Sequence, residues 1–289
     1  MKHMEQLLMY DTTISQPRQL LKWIGNKQRF AKKIVEAIPK DYKTYIEPFL
    51  GSGAVLGALS PRKAIAGDNL PPLIGIWELV KNDPEKLIKH YKALWLKSCN
   101  NPKKTYLEVK ESFNKDQNPL DFAFLSRACF GGIIRFTKEG KMSTPIGPHK
   151  PIPPEAFRER VYDWKERIKN TTFYLSDFEK TLAYGGKGDV IYCDPPYLFC
   201  QSIIYGAQDF SLDHLWESVK KAKDKGAKVL LSIDGKKKSG KMDLNINIPP
   251  DLFERELLID CGSSMIRRFQ KKGLNMTGEQ VHDKLLLSW

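Results

Sequence analysis

The residues with the clearest chemical potential are Asp194, Pro195, Pro196 and Tyr197, which directly follow the apolar run VIYC. Two prolines end a strand and restrict the backbone, because proline has a fixed φ and no N–H. Residues that follow a buried parallel strand lie at the carboxyl edge of the sheet, where ligands bind. A carboxylate and a carbonyl oxygen beside an aromatic ring suit a planar base with an exocyclic amino group. These four residues are therefore the candidate catalytic group.

A second motif, EPFLGSG at residues 47–53, contains a glycine turn between a predicted strand (44–50) and a predicted helix that begins with AVLGAL. Backbone amides in such a turn can approach a ligand closely at the helix N-terminus. The pattern is GxG followed by Gly57, without the full GxGxxG spacing and without a Walker lysine. It also fits a tight strand-to-helix turn that binds nothing.

Asp68 ends the next predicted strand (63–69) and precedes Asn69. A carboxylate in this place can accept hydrogen bonds from ribose hydroxyls, as the acid about 20 residues after the glycine loop does in dinucleotide folds. The alternative is an aspartate that caps a turn or a helix. Together with the glycine turn, Asp68 predicts an adenosine-containing cofactor, either a nicotinamide dinucleotide or S-adenosylmethionine.

The elements that position these residues alternate between short apolar strands and amphipathic helices. Strands are predicted at 171–177 and 189–193, and SLDHLWESVKKAKDKG predicts a helix that leads into the strand AKVLLSID. Alternating strands and helices predict an α/β fold with a parallel sheet.

Residues 76–171 interrupt this alternation. They contain a predicted helical stretch (76–113), a predicted hairpin in IIRFTKEGKMSTP that turns at Glu139-Gly140, and a predicted helix at 155–168. We expect a separate lobe in this part of the chain.

Composition limits the class of protein. The 289 residues are 41 % hydrophobic, which excludes a disordered polycation. No apolar run approaches the ~20 residues of a membrane-spanning helix, and the N-terminal residues lack the apolar core of a signal peptide. A cytoplasmic protein without a membrane partner is therefore expected. The five scattered cysteines form no CxxC pair, so neither a zinc ribbon nor a disulfide framework is indicated.

The net charge of +13 is unevenly distributed. Residues 76–171 carry 19 basic and 12 acidic side chains, whereas residues 172–197 carry 2 basic and 4 acidic ones. The basic surplus indicates a polyanionic partner or simple solubility. The acidic segment contains Asp194, which indicates a pocket whose chemistry differs from the basic surface around it.

Together these motifs resemble those of the DNA methyltransferases that use S-adenosylmethionine and act on exocyclic amines, specifically the Dam-like adenine-N6 group. The similar elements, in the family's order, are KWIGNK (22–27), EPFLGSG (47–53), GDN (67–69), FYLSDF (173–178), DPPY (194–197) and VLLSI (229–233). A DPPY motif that follows the glycine loop after a long insert resembles the α arrangement of the family.

The resemblance implies a Rossmann-like α/β sheet, mostly parallel with one antiparallel strand. It implies a catalytic domain formed by residues 1–75 and 172–289, and a target-recognition domain, helical with a hairpin, at 76–171. It further implies S-adenosylmethionine as cofactor and double-stranded DNA as partner. A cognate restriction endonuclease is a further implied partner, although a solitary enzyme fits equally, and the oligomeric state stays open.

The resemblance also implies the residues that bind the cofactor. These are Trp23, Lys27, Glu47, Pro48, Phe49, Gly51, Ser52, Gly53, Asp68, Asn69, Asp177, Phe178 and Asp194. In this scheme Trp23 offers a flat apolar surface and Lys27 meets the carboxylate of the cofactor. The segment from Phe173 to Phe178, with Asp177, borders its adenine ring.

An adenine within a duplex must be extruded before its amine can react. By the resemblance, Tyr197 stacks on the extruded ring, while the Asp194 carboxylate and the Pro195 carbonyl accept hydrogen bonds from N6 and stabilise the developing positive charge. This scheme requires neither a metal nor a covalent enzyme intermediate.

The insert offers polar and basic residues for DNA recognition, since arginine pairs with guanine and lysine more often contacts phosphate. The candidates are Arg135, Lys138, Lys141, Ser143, His149 and Lys150. They differ from those of family members that methylate GATC, so a different target is expected. The later basic segment SSMIRRFQKKG fits a second phosphate-contacting loop and also a solvated turn.

Three other functions are compatible with parts of the sequence. A cytosine-N4 or RNA methyltransferase shares the cofactor motifs and differs in the substrate. A non-catalytic nucleic-acid-binding module explains the charge and leaves the glycine turn unexplained. A nicotinamide-dependent oxidoreductase shares the glycine turn and Asp68 and leaves DPPY and the basic insert unexplained.

Overall fold

The structure, a computed structural model, describes residues 16–196, 210–237, 248–263 and 280–289. Within these residues the chain forms one seven-stranded sheet with the order β3-β2-β1-β4-β5-β7-β6. The strands are β1 (Tyr45–Glu47), β2 (Ala64–Asp68), β3 (Thr171–Leu175), β4 (Val190–Cys193), β5 (Lys228–Lys237), β6 (Arg255–Ser263) and β7 (Gln280–Leu287).

The sheet is mostly parallel. β7 is antiparallel to both of its neighbours, and the other pairings are parallel. This confirms the predicted α/β class with a mostly parallel sheet and one antiparallel strand. β1 lies between β2 and β4, with Tyr45 in register with Ala64 on one side and Val190 on the other. The strand order reverses at β1, which is where open α/β sheets bind ligands.

The helices of the described residues flank this sheet or form the insert. They are α1 (Ala31–Ala37), α2 (Ala54–Leu59), α3 (Pro71–Asn82), α4 (Pro84–Asn100), α5 (Pro102–Asp116), α6 (Pro119–Ala128), α7 (Pro154–Ile168), α8 (Phe178–Leu182) and α9 (Leu212–Asp224). We find no helix among them that is long and apolar enough to cross a membrane.

The predicted helical stretch 76–113 is divided among three helices. Pro84 and Pro102 each occupy the first turn of a new helix, where a missing N–H costs nothing. The side chains of Asp83 and Asn101 cap these helices by accepting hydrogen bonds from backbone amides three residues later. The prolines therefore set the boundaries that apolar periodicity alone did not resolve.

The first helix of the insert packs on the sheet, and the last helix packs against the first. Trp77 of α3 lies 4.9 Å from Trp164 of α7, measured between ring centroids, and stacks on Phe173 of β3. All three side chains belong to one hydrophobic core that also includes strand residues such as Tyr45 and Val190. The opposite face of the sheet is covered by α8 and α9 in a second core.

The predicted hairpin is present in a short form. Phe136 and Met142 form an antiparallel bridge, the Thr137 amide donates to the Lys141 carbonyl at 2.8 Å, and Gly140 has a φ of 74° in the turn. A positive φ at this position is readily adopted by glycine.

Candidate active site

A cavity of about 260 Å³ lies at the carboxyl edge of the sheet, next to β1, β2 and β4. Its wall includes twelve of the thirteen residues predicted to bind a cofactor, together with Pro195 and Pro196. The exception is Gly53, which lies behind the glycine turn. Tyr197 lies outside the described residues.

The glycine turn packs against tryptophans. Gly51 has a φ of 48°, its carbonyl accepts a hydrogen bond from Trp77 Nε1 at 3.2 Å, and a Cβ added to it would lie 3.1 Å from Trp23 Nε1. Gly53 has a φ of 64° and precedes α2, where an added Cβ would lie 3.3 Å from Trp77 and 3.4 Å from Trp164. Gly53 therefore shapes the turn from behind rather than lining the cavity.

The insert holds the segment that carries Trp23. The Arg127 guanidinium, 4 % exposed, donates to the carbonyls of Gln19 and Leu20 at 3.1 and 2.9 Å. The indole of Trp164 donates to the Arg18 carbonyl at 2.9 Å. Side chains of α6 and α7 thus position the chain just before the KWIGNK element.

Asp68 connects the end of β2 to the glycine turn. Its Oδ2 accepts a hydrogen bond from the Gly51 amide at 3.0 Å, and its Oδ1 accepts one from the Leu70 amide at 3.1 Å. Burial raises the pKa of Asp68 to about 6, although these backbone hydrogen bonds oppose the shift. The carboxylate thus has the local role of a turn aspartate and lines the cavity as well.

Glu47 is the most deeply buried acid of the cavity wall, with 2 % of its side chain exposed. Burial raises its pKa to about 8, the hydrogen bond from the Tyr45 hydroxyl at 2.6 Å lowers it, and the nearby Asp194 charge raises it further. Glu47 is therefore largely protonated at neutral pH.

This shift predicts a pH-dependent stability. The folded-state pKa of Glu47 is about 8, whereas its unfolded pKa is ~4.3. The stabilisation that the protonated carboxyl contributes is therefore fully present below pH ~4.3 and is lost as the pH rises through 8. We expect the free energy of unfolding to fall between about pH 5 and 8, and Glu47→Gln to be more stable than wild type at pH 8 by about 2–4 kcal/mol. Asp68 contributes in the same direction over a lower range.

Denaturant unfolding of both proteins across this pH range measures the effect. The exposed Glu36→Gln on α1 is the matched control and should keep the wild-type slope. An unchanged slope in Glu47→Gln would contradict the assignment.

Aromatic rings form one wall of the cavity. Phe49 stacks on Phe178 with 5.1 Å between centroids, and Phe210 contacts both rings at 6.0 and 5.6 Å. Asp177 caps α8 by accepting a hydrogen bond from the Glu179 amide at 2.9 Å. Aromatic side chains of this kind offer flat apolar faces to a planar ligand.

Asp194 forms an ion pair with Lys27. The Lys27 Nζ lies 2.8 Å from Asp194 Oδ1, and the two side chains are 4 % and 19 % exposed. The sequence predicted a cofactor carboxylate as the partner of Lys27. In the structure the chain turns into α1 directly after Lys27, because the Lys27 carbonyl accepts hydrogen bonds from the amides of Phe30 and Ala31. The ammonium group of Lys27 reaches the end of β4.

Eight cavity residues are absent from the predicted site residues: Ile24, Gly25, Asn26, Leu50, Ala54, Val55, Tyr192 and Phe210. Asn26 lies inside the KWIGNK element, and its amide donates to the Trp23 carbonyl at 2.5 Å, so the motif itself was a usable signal. Tyr192 belongs to the run VIYC. Phe210 had no such signal, because it reaches the cavity from a different part of the chain.

The DNA-recognition candidates lie apart from the cavity, on the hairpin and the loop after it. All six are exposed: Arg135, Lys138, Lys141, Ser143, His149 and Lys150. An open cleft separates the hairpin tip from Asn69 and Leu70. The side chains of the later basic segment SSMIRRFQKKG lie outside the described residues.

The described part of the chain contains no group of three or more His, Cys, Asp or Glu side chains able to hold a metal ion.

The strand order, the antiparallel β7 and a cavity beyond the glycine turn of β1 define an open, mostly parallel α/β sheet with a ligand site at its switch point. A family model described as D12 class N6 adenine-specific DNA methyltransferase matches residues 23–254. The chain belongs to this family, and it is an adenine-specific DNA methyltransferase.

Individual relatives agree with this assignment. The chain is 30 % identical over 228 residues to a DNA adenine methylase of Vibrio cholerae, covering 74 % of this chain and 80 % of the relative. It is 31 % identical over 243 residues to the Type II methyltransferase M.MjaIII of Methanocaldococcus jannaschii, with 74 % and 83 % covered. A DNA adenine methylase of Serratia marcescens is 32 % identical over 185 residues, with 62 % and 67 % covered.

Proposed function

We propose that this enzyme transfers a methyl group from S-adenosylmethionine to N6 of an adenine extruded from a short duplex sequence. Asp194 and Pro195 contact the amine in this proposal. The observation that carries it is the common cavity, in which the end of β4 meets the glycine turn, Asp68 and the Phe49–Phe178 wall. Each part suits a different part of the two ligands.

The donor set fits the cofactor. Phe49 and Phe178 suit its adenine ring, and the Asp68 carboxylate suits the ribose hydroxyls. When bound, S-adenosylmethionine supplies a methyl group activated by a sulfonium. Asp194 suits the positive charge of that group.

The residues after β4 would act on the amine. The N6 lone pair is delocalised into the ring, so the nitrogen is a weak nucleophile until its geometry changes. Hydrogen bonds from N6–H to Asp194 Oδ and to the Pro195 carbonyl oxygen favour a tetrahedral nitrogen and stabilise its developing positive charge. Tyr197 stacks on the extruded base in this proposal.

Labelled methyl transfer tests the proposal. We expect incorporation into duplex DNA and recovery of N6-methyladenine after digestion, with none in RNA or protein. Recovery of N4-methylcytosine, or transfer to RNA alone, would reject it. Sequencing of the methylated DNA identifies the target sequence.

Residues 76–171 supply the target-recognition domain in this proposal. Their net charge of +7 favours phosphate binding, and the exposed hairpin places Arg135 next to Lys138 and Lys141. The hairpin is narrow enough to enter a major groove.

Arg135→Ala should distinguish base reading from phosphate contact. If Arg135 pairs with a guanine, its loss costs about 1–3 kcal/mol at one base position and relaxes selection there. Lys141→Ala should weaken binding to all duplexes similarly and reduce the salt slope by about one. Binding titrations on the target and on single-base variants measure both effects. An equal loss on every duplex for Arg135→Ala would contradict base reading.

The proposal also includes a cytoplasmic location. By analogy with the relative named a Type II methyltransferase, it further includes pairing with a restriction endonuclease. Once the target is sequenced, protection of methylated DNA against nucleases that cut this target tests the pairing.

A further inference from the structure

We propose that Asn114 is a positioning residue that fixes the DNA-reading hairpin on α5, and that it thereby sets how strictly the enzyme discriminates its target. The inference rests on the proposed role of the hairpin in reading DNA. It concerns a residue of α5 whose own side chain need not contact DNA.

The hydrogen bonds of the hairpin leave one residue of its second strand with its backbone N–H and C=O directed away from the first strand. The Ser143 amide donates to the Arg135 carbonyl at 2.9 Å, and the Thr137 amide donates to the Lys141 carbonyl at 2.8 Å. Residues between such pairs direct their backbone groups away from the partner strand. Met142 is that residue, so its N–H and C=O point toward α5.

Asn114 supplies both partners that Met142 needs. Its Oδ1 accepts a hydrogen bond from the Met142 amide at 2.7 Å, and its Nδ2 donates to the Met142 carbonyl at 3.1 Å. A carboxamide carries the same donor and acceptor as a peptide group. Asn114 therefore pairs with the hairpin edge as one residue of a neighbouring strand would.

This pairing bears directly on which side chains face outward. Met142 is 2 % exposed, whereas Lys141 and Ser143 on either side of it are exposed. A slip of one residue would turn Met142 outward and bury the polar neighbours. The hydroxyl of Tyr106, also on α5, donates to the Thr144 carbonyl at 2.8 Å and supports the same register further along the strand.

The hairpin tip, Asn114 of α5 and Gln117 just after α5 line one open cleft, which separates the tip from Asn69 and Leu70. Gln117 Nε2 also donates to the Gly140 carbonyl at 3.4 Å, so hydrogen bonds from α5 and from the residue after it hold the tip in place. Loss of the Asn114 pairing should leave the basic side chains of the hairpin unchanged and broaden the range of positions that the hairpin samples.

Asn114→Ala tests the inference, with Asn101→Ala as the matched control. Asn101 caps the same helix by accepting from the Lys104 amide at 3.1 Å, so its loss destabilises α5 without touching the hairpin. We expect Asn114→Ala to lower the ratio of methylation rates on target and single-base-variant duplexes by about tenfold, as two hydrogen bonds are lost. Asn101→Ala should keep the wild-type ratio at a similar loss of Tm.

Asn114→Asp keeps the acceptor and removes the donor, so it should give a ratio of methylation rates between those of the wild type and Asn114→Ala. This variant also tests the inference if Asn114→Ala does not fold. Equal ratios in the wild type and both Asn114 variants, or an equal fall in Asn101→Ala, would overturn the inference. If Arg135→Ala relaxes selection and the Asn114 variants do not, only the role of Asn114 is rejected. If Arg135→Ala also leaves selection unchanged, the reading role of the hairpin is rejected as well.

Discussion

Asp194→Ala is expected to reduce methyl transfer by about 10³-fold or more while duplex DNA binding survives. In the proposed mechanism the carboxylate is the charged acceptor at the end of β4, and its contribution is greatest when positive charge develops on the amine. Its removal should therefore affect the rate of the chemical step more than the affinity for either ligand. Single-turnover transfer of labelled methyl groups to duplex DNA measures that rate.

Folding must be checked in this variant, because Asp194 also lies 2.8 Å from the buried Lys27 ammonium. Asp194→Asn keeps the shape and one acceptor oxygen and should retain more stability than Asp194→Ala. The pKa of Glu47 should fall in both variants, since the Asp194 charge is one of the causes that raise it. Normal turnover by a folded Asp194→Ala variant would reject the mechanism.

Local patterns were sufficient to find the parts of the site that lie within one strand and the turn after it. Asp194, Asp68 and the EPFLGSG turn each follow an apolar run, and the parallel sheet brings their carboxyl ends together. The same alternation was sufficient to predict the fold class. Such features depend on period and on turn chemistry, which are visible in a short window of sequence.

Contacts between distant segments were not predictable in this way. Phe210 and Lys27 reach the cavity from distant parts of the chain. Neither the spacing nor the residue type shows that Lys27 pairs with Asp194 or that Phe210 lines the cavity. The tryptophans behind the glycine turn are a similar case. Trp77 and Trp164 lie in the helices α3 and α7, and only the packing of these helices against each other and against α2 places both rings next to Gly53.

The electrostatics of the cavity also differ from the formal charges in the sequence. Glu47 and Asp194 both count as negative charges in the sequence. In the structure burial raises the pKa of Glu47 to about 8, and Lys27 pairs with Asp194. The acidic cavity in a basic protein is therefore closer to neutral than its composition indicates. Binding of the proposed cofactor, which is cationic, would favour ionisation of Glu47, because the positive charge stabilises the carboxylate.

Lys27→Met is expected to lower the methyl-transfer rate by roughly 10–100-fold, since it removes the buried positive charge beside Asp194 and keeps an unbranched side chain that is only one atom shorter. Without the ammonium, protonation of the carboxylate becomes easier, so the acidic limb of the rate profile should move to higher pH. Lys27→Arg should preserve the charge and much of the rate. The exposed Lys32→Met on α1 is the matched control and should behave as wild type.

A double-mutant cycle separates this role from a direct contact with the cofactor. If Lys27 acts through Asp194, Lys27→Met should add little to the loss in an Asp194→Asn background, because contacting residues are not additive. Cofactor affinity should then fall less than the rate. If Lys27 instead binds the cofactor carboxylate, the two losses should add, the affinity should fall with the rate, and the pH profile should stay in place. The two outcomes assign Lys27 either to the amine-binding end of the cavity or to its cofactor-binding end.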